Sequence, residues 1–69
     1  MKNTDTLYVM DCIDDNYDIA VQLYRTQIPK KTVVFMFVGY VNAILDLCGA
    51  GSIEYEYATK KLQILKDNL

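Results

Sequence analysis

Thr32-Val33-Val34-Phe35-Met36-Phe37-Val38-Gly39-Tyr40-Val41-Asn42-Ala43-Ile44-Leu45 is the stretch on which the fold turns. It carries no charge, follows Lys30 and Lys31, and runs into Asp46. Gly39, Asn42 and Asp46 recur at spacings of three and four and form one narrow stripe that also takes in Phe35. The remaining faces are apolar: Val34, Met36, Phe37, Val38, Tyr40, Val41, Ile44, Leu45 and Leu47. A helix apolar over most of its circumference is packed by neighbours on two sides. Gly39 and Ala43, four apart, let another helix come close. Two rival readings exist. β-Branched and aromatic residues favour strands, so an α+β arrangement with short strands near 6–10, 32–38 and 53–57 competes. A membrane span needs about 20 apolar residues, and lengthening the stretch takes in Asn42, Asp46 and glycines, so a membrane span is disfavoured.

Outward from this stretch, two punctuation marks divide the chain. Ile28 precedes Pro29, the only proline, and is pushed away from helical geometry. Gly49-Ala50-Gly51 is a turn signal. Before the proline, Asp11, Asp14, Asp15, Asp18, Gln22 and Arg25 fall on one side of a helical wheel. Ile13, Tyr17, Ala20, Val21 and Tyr24 fall on the other. This spacing predicts a helix over 10–27, with Asp14 or Asp15 as its cap. Residues 5–9 either extend it or form a short strand. After the glycine turn, Tyr55, Ala58, Leu62, Leu65 and Leu69 form a stripe at spacings of three and four. Ser52 suits the N-cap, and Glu54 and Glu56 suit the first turn. Ile53, Tyr57 and Ile64 form a second apolar line nearly opposite. The expected fold is therefore all-α: a single small domain over 1–69, with helices near 10–27, 30–48 and 53–67 and the apolar middle helix central.

The totals narrow the function. The chain has 69 residues, 52% of them apolar, with 7 basic and 9 acidic residues and no histidine. That apolar fraction and low charge do not suit a disordered chain. The lack of histidine removes histidine-based catalysis and metal binding. Cys12 and Cys48 have no histidine to serve as base, and without a secretory leader they read as thiols in a reducing cytoplasm. Residues 1–28 are net −3 and residues 29–69 net +1, so no basic face exists to neutralise phosphates. A chain this short buries only about 60% of its unfolded surface, and association with a partner is the remaining route to added stability.

Asn42-Ala43-Ile44-Leu45-Asp46-Leu47-Cys48-Gly49, then Ser52-Ile53-Glu54-Tyr55-Glu56-Tyr57 and Lys60-Lys61-Leu62, resembles the helical hairpins of small phage and mobile-element proteins of Gram-positive bacteria. It is also similar to the C-terminal oligomerisation motif called SHOCT, with Glu56-Tyr57, Lys61 and Leu65 in matching places. The spacing from the cap to Glu56 departs by about one residue from that motif. The resemblance covers residues 42–66 and implies an accessory module that works by association.

Chemical motifs are absent. Gly49-Ala50-Gly51 lacks the nucleotide-binding glycine pattern and the P-loop lysine. Asp11, Asp14, Asp15 and Asp18 share one helical face. They lack the alternating acids and glycine of a calcium loop, so a solvated face is the plain reading and a basic protein partner the functional one. Tyrosine is enriched at interfaces. Tyr17, Tyr24, Tyr40 and Tyr55 fall on core-facing stripes, which leaves Tyr57 as the interface candidate. The expectation is a non-enzymatic, self-associating protein–protein interaction module without cofactor or metal. Its partner-binding residues are Ile53, Tyr57 and Ile64, together with Asp11, Asp14, Asp15 and Asp18. Its partner is a second copy or another protein, with no direct nucleic-acid contact. One alternative is an inhibitor that offers the acidic face to a nucleic-acid-binding host or defence protein. Another is a small helix-turn-helix regulator.

Overall fold

The structure, a computed structural model, describes residues 2–69, with side chains from Thr6 onward. Three helices follow one another: α1 (Lys2–Arg25), α2 (Lys30–Leu47) and α3 (Ser52–Asn68). Every pair of helices is in contact, and no strand occurs among the described residues. The strand alternative for 32–38 and 53–57 gives way because hydrophobic spacing of three and four can be buried on one side only by a helix. Residues 5–9 join α1 and do not form a strand. At a rise of about 1.5 Å per residue α1 is roughly 36 Å long, which accounts for most of the 40 Å long axis of the molecule.

The core is one cluster. Val9, Ile13 and Ala20 come from α1, Val33, Phe37, Val41 and Leu45 from α2, and Ala58 and Leu65 from α3. The four residues of α2 are spaced four apart and lie along a single buried line. Ile13, Val33, Leu45 and Leu65 are almost wholly enclosed. Tyr17 packs edge-on against Phe37, with ring centroids 6.5 Å apart at 87°, an arrangement that aromatic quadrupoles favour.

Both helix–helix turns use the same hydrogen-bond scheme. After α1, the Ile28 amide donates to the Leu23 carbonyl and the Gln27 amide to the Tyr24 carbonyl. After α2, the Ala50 amide donates to the Leu45 carbonyl and the Gly49 amide to the Asp46 carbonyl. This is the Schellman motif, which needs one residue in the left-handed region. Gly49 fills that position at φ 61, and Gln27 fills it at φ 78. The first helix therefore stops at Arg25 and not at 27.

Two capping expectations are corrected. α1 runs unbroken through Asp14 and Asp15, so neither caps it. Gly51, and not Ser52, occupies the N-cap of α3. Glu54, three residues on, reaches back so that its Oε1 accepts a hydrogen bond from the Gly51 amide at 2.9 Å, the acidic half of a capping box. Its Oε2 accepts one from the Thr6 hydroxyl at 2.6 Å, which ties α3 to α1. Glu54 is only 8% exposed.

A candidate interaction surface

The sequence-predicted residues divide into two groups. Ile53 and Ile64 lie exposed on α3. Tyr57, between them on the same line, turns toward α1, where its hydroxyl donates to Asp14 Oδ1 at 2.6 Å. Lys61 Nζ lies 3.2 Å from the same oxygen and 4.5 Å from the centre of the Tyr17 ring. Asn68 donates to the Tyr17 hydroxyl at 3.0 Å. Asp14 is thereby drawn off the acidic face into a seam of Tyr17, Tyr57, Lys61 and Asn68 between α1 and α3. The hydrogen bond to Asp14, reinforced by burial, pushes the Tyr57 phenol above its ordinary range. Half-exposed ion pairs contribute about 0–1 kcal/mol each, so the seam fixes the register of α3 on α1 more than it adds stability.

Asp11, Asp15 and Asp18 remain exposed along α1. Among the described residues, no three histidine, cysteine, aspartate or glutamate side chains are gathered in a way that could hold a metal ion. Cys12 and Cys48 are free thiols, Cys12 half-buried and Cys48 exposed. The Tyr8 phenol is pushed above its ordinary range by the neighbouring side chain of Cys12 and then by that of Cys48.

The surface that sequence reasoning missed is apolar. Tyr24, Tyr40 and Tyr55, placed on core-facing stripes by their spacing, are all exposed. Three slender helices enclose one narrow core, so side chains at the edges of a wide apolar stripe are left outside. The largest exposures are on α2: Leu47 at 87% and Phe35 at 77%. Gly39 and Ala43, which lie between them, are exposed too. Phe35, Gly39, Ala43 and Leu47 are spaced four apart and make one continuous ridge. The stripe of Phe35, Gly39, Asn42 and Asp46 seen in the sequence is the solvent side of α2.

α2 is also electrostatically unlike α3. It has no acidic residue in its first turn and no basic residue in its last. Lys30 and Lys31 sit at the end where the helix dipole is already positive, and Asp46 near the end where it is negative. α3 carries Glu54 in its first turn and Lys66 in its last, the compensating order. No helix of the described residues is long and apolar enough to cross a membrane. Set against known proteins, the chain matches no family model, no curated protein and no solved structure.

Proposed function

We propose that this chain is a non-enzymatic protein-interaction module that docks through apolar helix surface. The observation that carries the reading is the split between inside and outside. Among the described residues nine apolar residues are buried, whereas ten large apolar side chains are exposed, with Leu47 and Phe35 the most open. A contiguous exposed apolar patch marks an interaction site, and Phe35, Gly39, Ala43 and Leu47 make one along α2. The absence of histidine supports a non-enzymatic role, and the SHOCT-like pattern over 42–66 supports a module that works by association. Ile53 and Ile64 remain candidate contacts, whereas Tyr57 is engaged with Asp14.

The test compares wild type with Phe35→Glu for self-association by sedimentation and for specific capture of other proteins. Phe35 is 77% exposed, so the variant keeps its fold, verified by circular dichroism. Loss of an association in the variant supports docking through α2. A wild type that binds neither itself nor any other protein refutes the module reading. A second reading, a basic protein partner on the acidic face, draws on the exposure of Asp11, Asp15 and Asp18. It predicts a salt-sensitive complex abolished by Asp15→Lys/Asp18→Lys; a complex indifferent to that change counts against it.

A further inference from the structure

We infer that the outer ridge of α2 seats a second copy of this chain, the two α2 helices crossing antiparallel about a twofold axis that passes between Gly39 and Ala43. The inference rests on the docking reading above and names the occupant.

Shape supplies the first argument. The ridge is bulky at its ends, Phe35 and Leu47, and small in its middle, Gly39 and Ala43. A Cβ added at Gly39 meets nothing within 4 Å, so the space over the middle is open. Ridges of side chains spaced four apart interdigitate in the commonest helix packing, with axes crossing at about 50°. In an antiparallel pair, Phe35 faces Leu47 of the second copy and Gly39 faces Ala43 of the second copy. The small residues let the backbones approach at the crossing, and the bulky ones close the two sides. One patch serves both subunits, as an isologous twofold contact requires.

Charge supplies the second argument and sets the direction. Lys30 and Lys31 stand at the positive end of α2, and Lys66 of α3 joins them around Val34. Asp46 stands at the negative end beside the last carbonyls. Each is unfavourable in an isolated helix. Antiparallel pairing brings the lysine end of each copy toward the aspartate end of the other, so unlike charges approach at both ends. Parallel pairing sets lysines against lysines and Asp46 against Asp46. A single helix crossing is small beside the roughly 1,200 Å² of a standard interface, so the dimer is reversible and dilution dissolves it.

Sedimentation velocity over a concentration series reads the association. Wild type shows a monomer–dimer equilibrium. Phe35→Glu and Gly39→Leu each weaken it at least tenfold while the circular dichroism stays helical. Lys31→Glu and Asp46→Lys each weaken the dimer while favouring the helix of the monomer, and the two together restore it. In a cysteine-free background, spin labels at Thr32 lie roughly 25 Å apart across an antiparallel pair and roughly 15 Å apart across a parallel one. A dimer untouched by Phe35→Glu, or the shorter spin distance, overturns the inference. So does a wild type that stays monomeric. If that monomer floats with phosphatidylcholine–phosphatidylglycerol vesicles through Phe35, the occupant is a lipid surface. If it loses capture of another protein in Phe35→Glu, the docking reading stands without the second copy. A monomer that does neither ends both.

Discussion

Replacing Gly39 and Gly49 by alanine, one at a time, applies the same chemical change with opposite results. Gly39 lies inside α2 on its solvent side, and a Cβ there meets nothing within 4 Å. Alanine adds no clash and removes freedom from the unfolded chain, a gain of about 0.5–1 kcal/mol in a helix interior. Gly49 is equally uncrowded, but its φ is +61. A side chain in that region costs roughly 1–2 kcal/mol, partly offset by about 0.4–1 kcal/mol from the stiffer unfolded chain. The net loss is about 0–1.6 kcal/mol and close to 0.8 kcal/mol at mid-range. The 69 residues unfold with about 2.1 cal/mol/K each, or ~0.14 kcal/mol/K in all. Gly39→Ala is therefore expected to melt roughly 3–7 °C higher than wild type and Gly49→Ala lower, by roughly 6 °C at mid-range. The assay is thermal unfolding by far-ultraviolet circular dichroism, at a dilution where the chain is monomeric. A lowered melting temperature for Gly39→Ala, or a raised one for Gly49→Ala, refutes the reasoning about where each glycine stands.

Four further outcomes are expected. Gln27→Gly relieves the left-handed glutamine at φ 78 and raises stability by up to about 1 kcal/mol in urea unfolding; a loss removes the Schellman turn from the account. Ile13→Val, at a site with 0% exposure, costs about 0.5–1.5 kcal/mol. The same change at Ile19, which is 53% exposed, stays within about 0.5 kcal/mol, and equal costs at the two sites contradict the burial pattern. A double-mutant cycle of Tyr57→Phe with Asp14→Asn shows a coupling of about 1 kcal/mol, and strictly additive losses dissolve the seam between α1 and α3. Finally, the hydrogen bond from Thr6 holds the Glu54 carboxyl below its ordinary range. The folded protein thus binds that proton less readily than the unfolded chain does, so the stability it confers is present above the ordinary carboxylate range and disappears as pH falls through and below it. Urea unfolding of wild type and Glu54→Gln at neutral and acid pH checks this; identical pH dependence of the two contradicts it.

Helix identity was legible because the signal is periodic. The positions of the α2 core, Val33, Phe37, Val41 and Leu45, and of Ala58 and Leu65 on α3, repeat at spacings that only a helix gathers on one side. Boundaries were less legible because they depend on single residues in uncommon conformations. Nothing in a glutamine announces a left-handed φ, so α1 reads longer at its C-terminal end than it is. Asp14 looks like a cap because it precedes an apolar run, yet its role is set by Tyr57, forty-three positions away. Glu54 reads as a first-turn acid, and its burial follows from Thr6, which sequence spacing does not bring near. The candidate site was legible only in part. Phe35, Gly39, Asn42 and Asp46 stood out as one stripe. Tyr40 and Leu47 read as covered because an apolar helix signals the need for neighbours without saying how many of its sides the available neighbours can reach.

The two turns, each only four residues between helix ends, bear on how the molecule comes together in time. Successive helices pack on each other across these short turns, with α3 resting on α1 as well, and small helical bundles of this connectivity are associated with folding in microseconds to milliseconds. Acquisition of structure is then complete long before two molecules collide at ordinary dilution. In the proposed pair, recognition between copies is an encounter of preformed bodies, with a rate governed by diffusion and orientation and not by any rearrangement of the backbone.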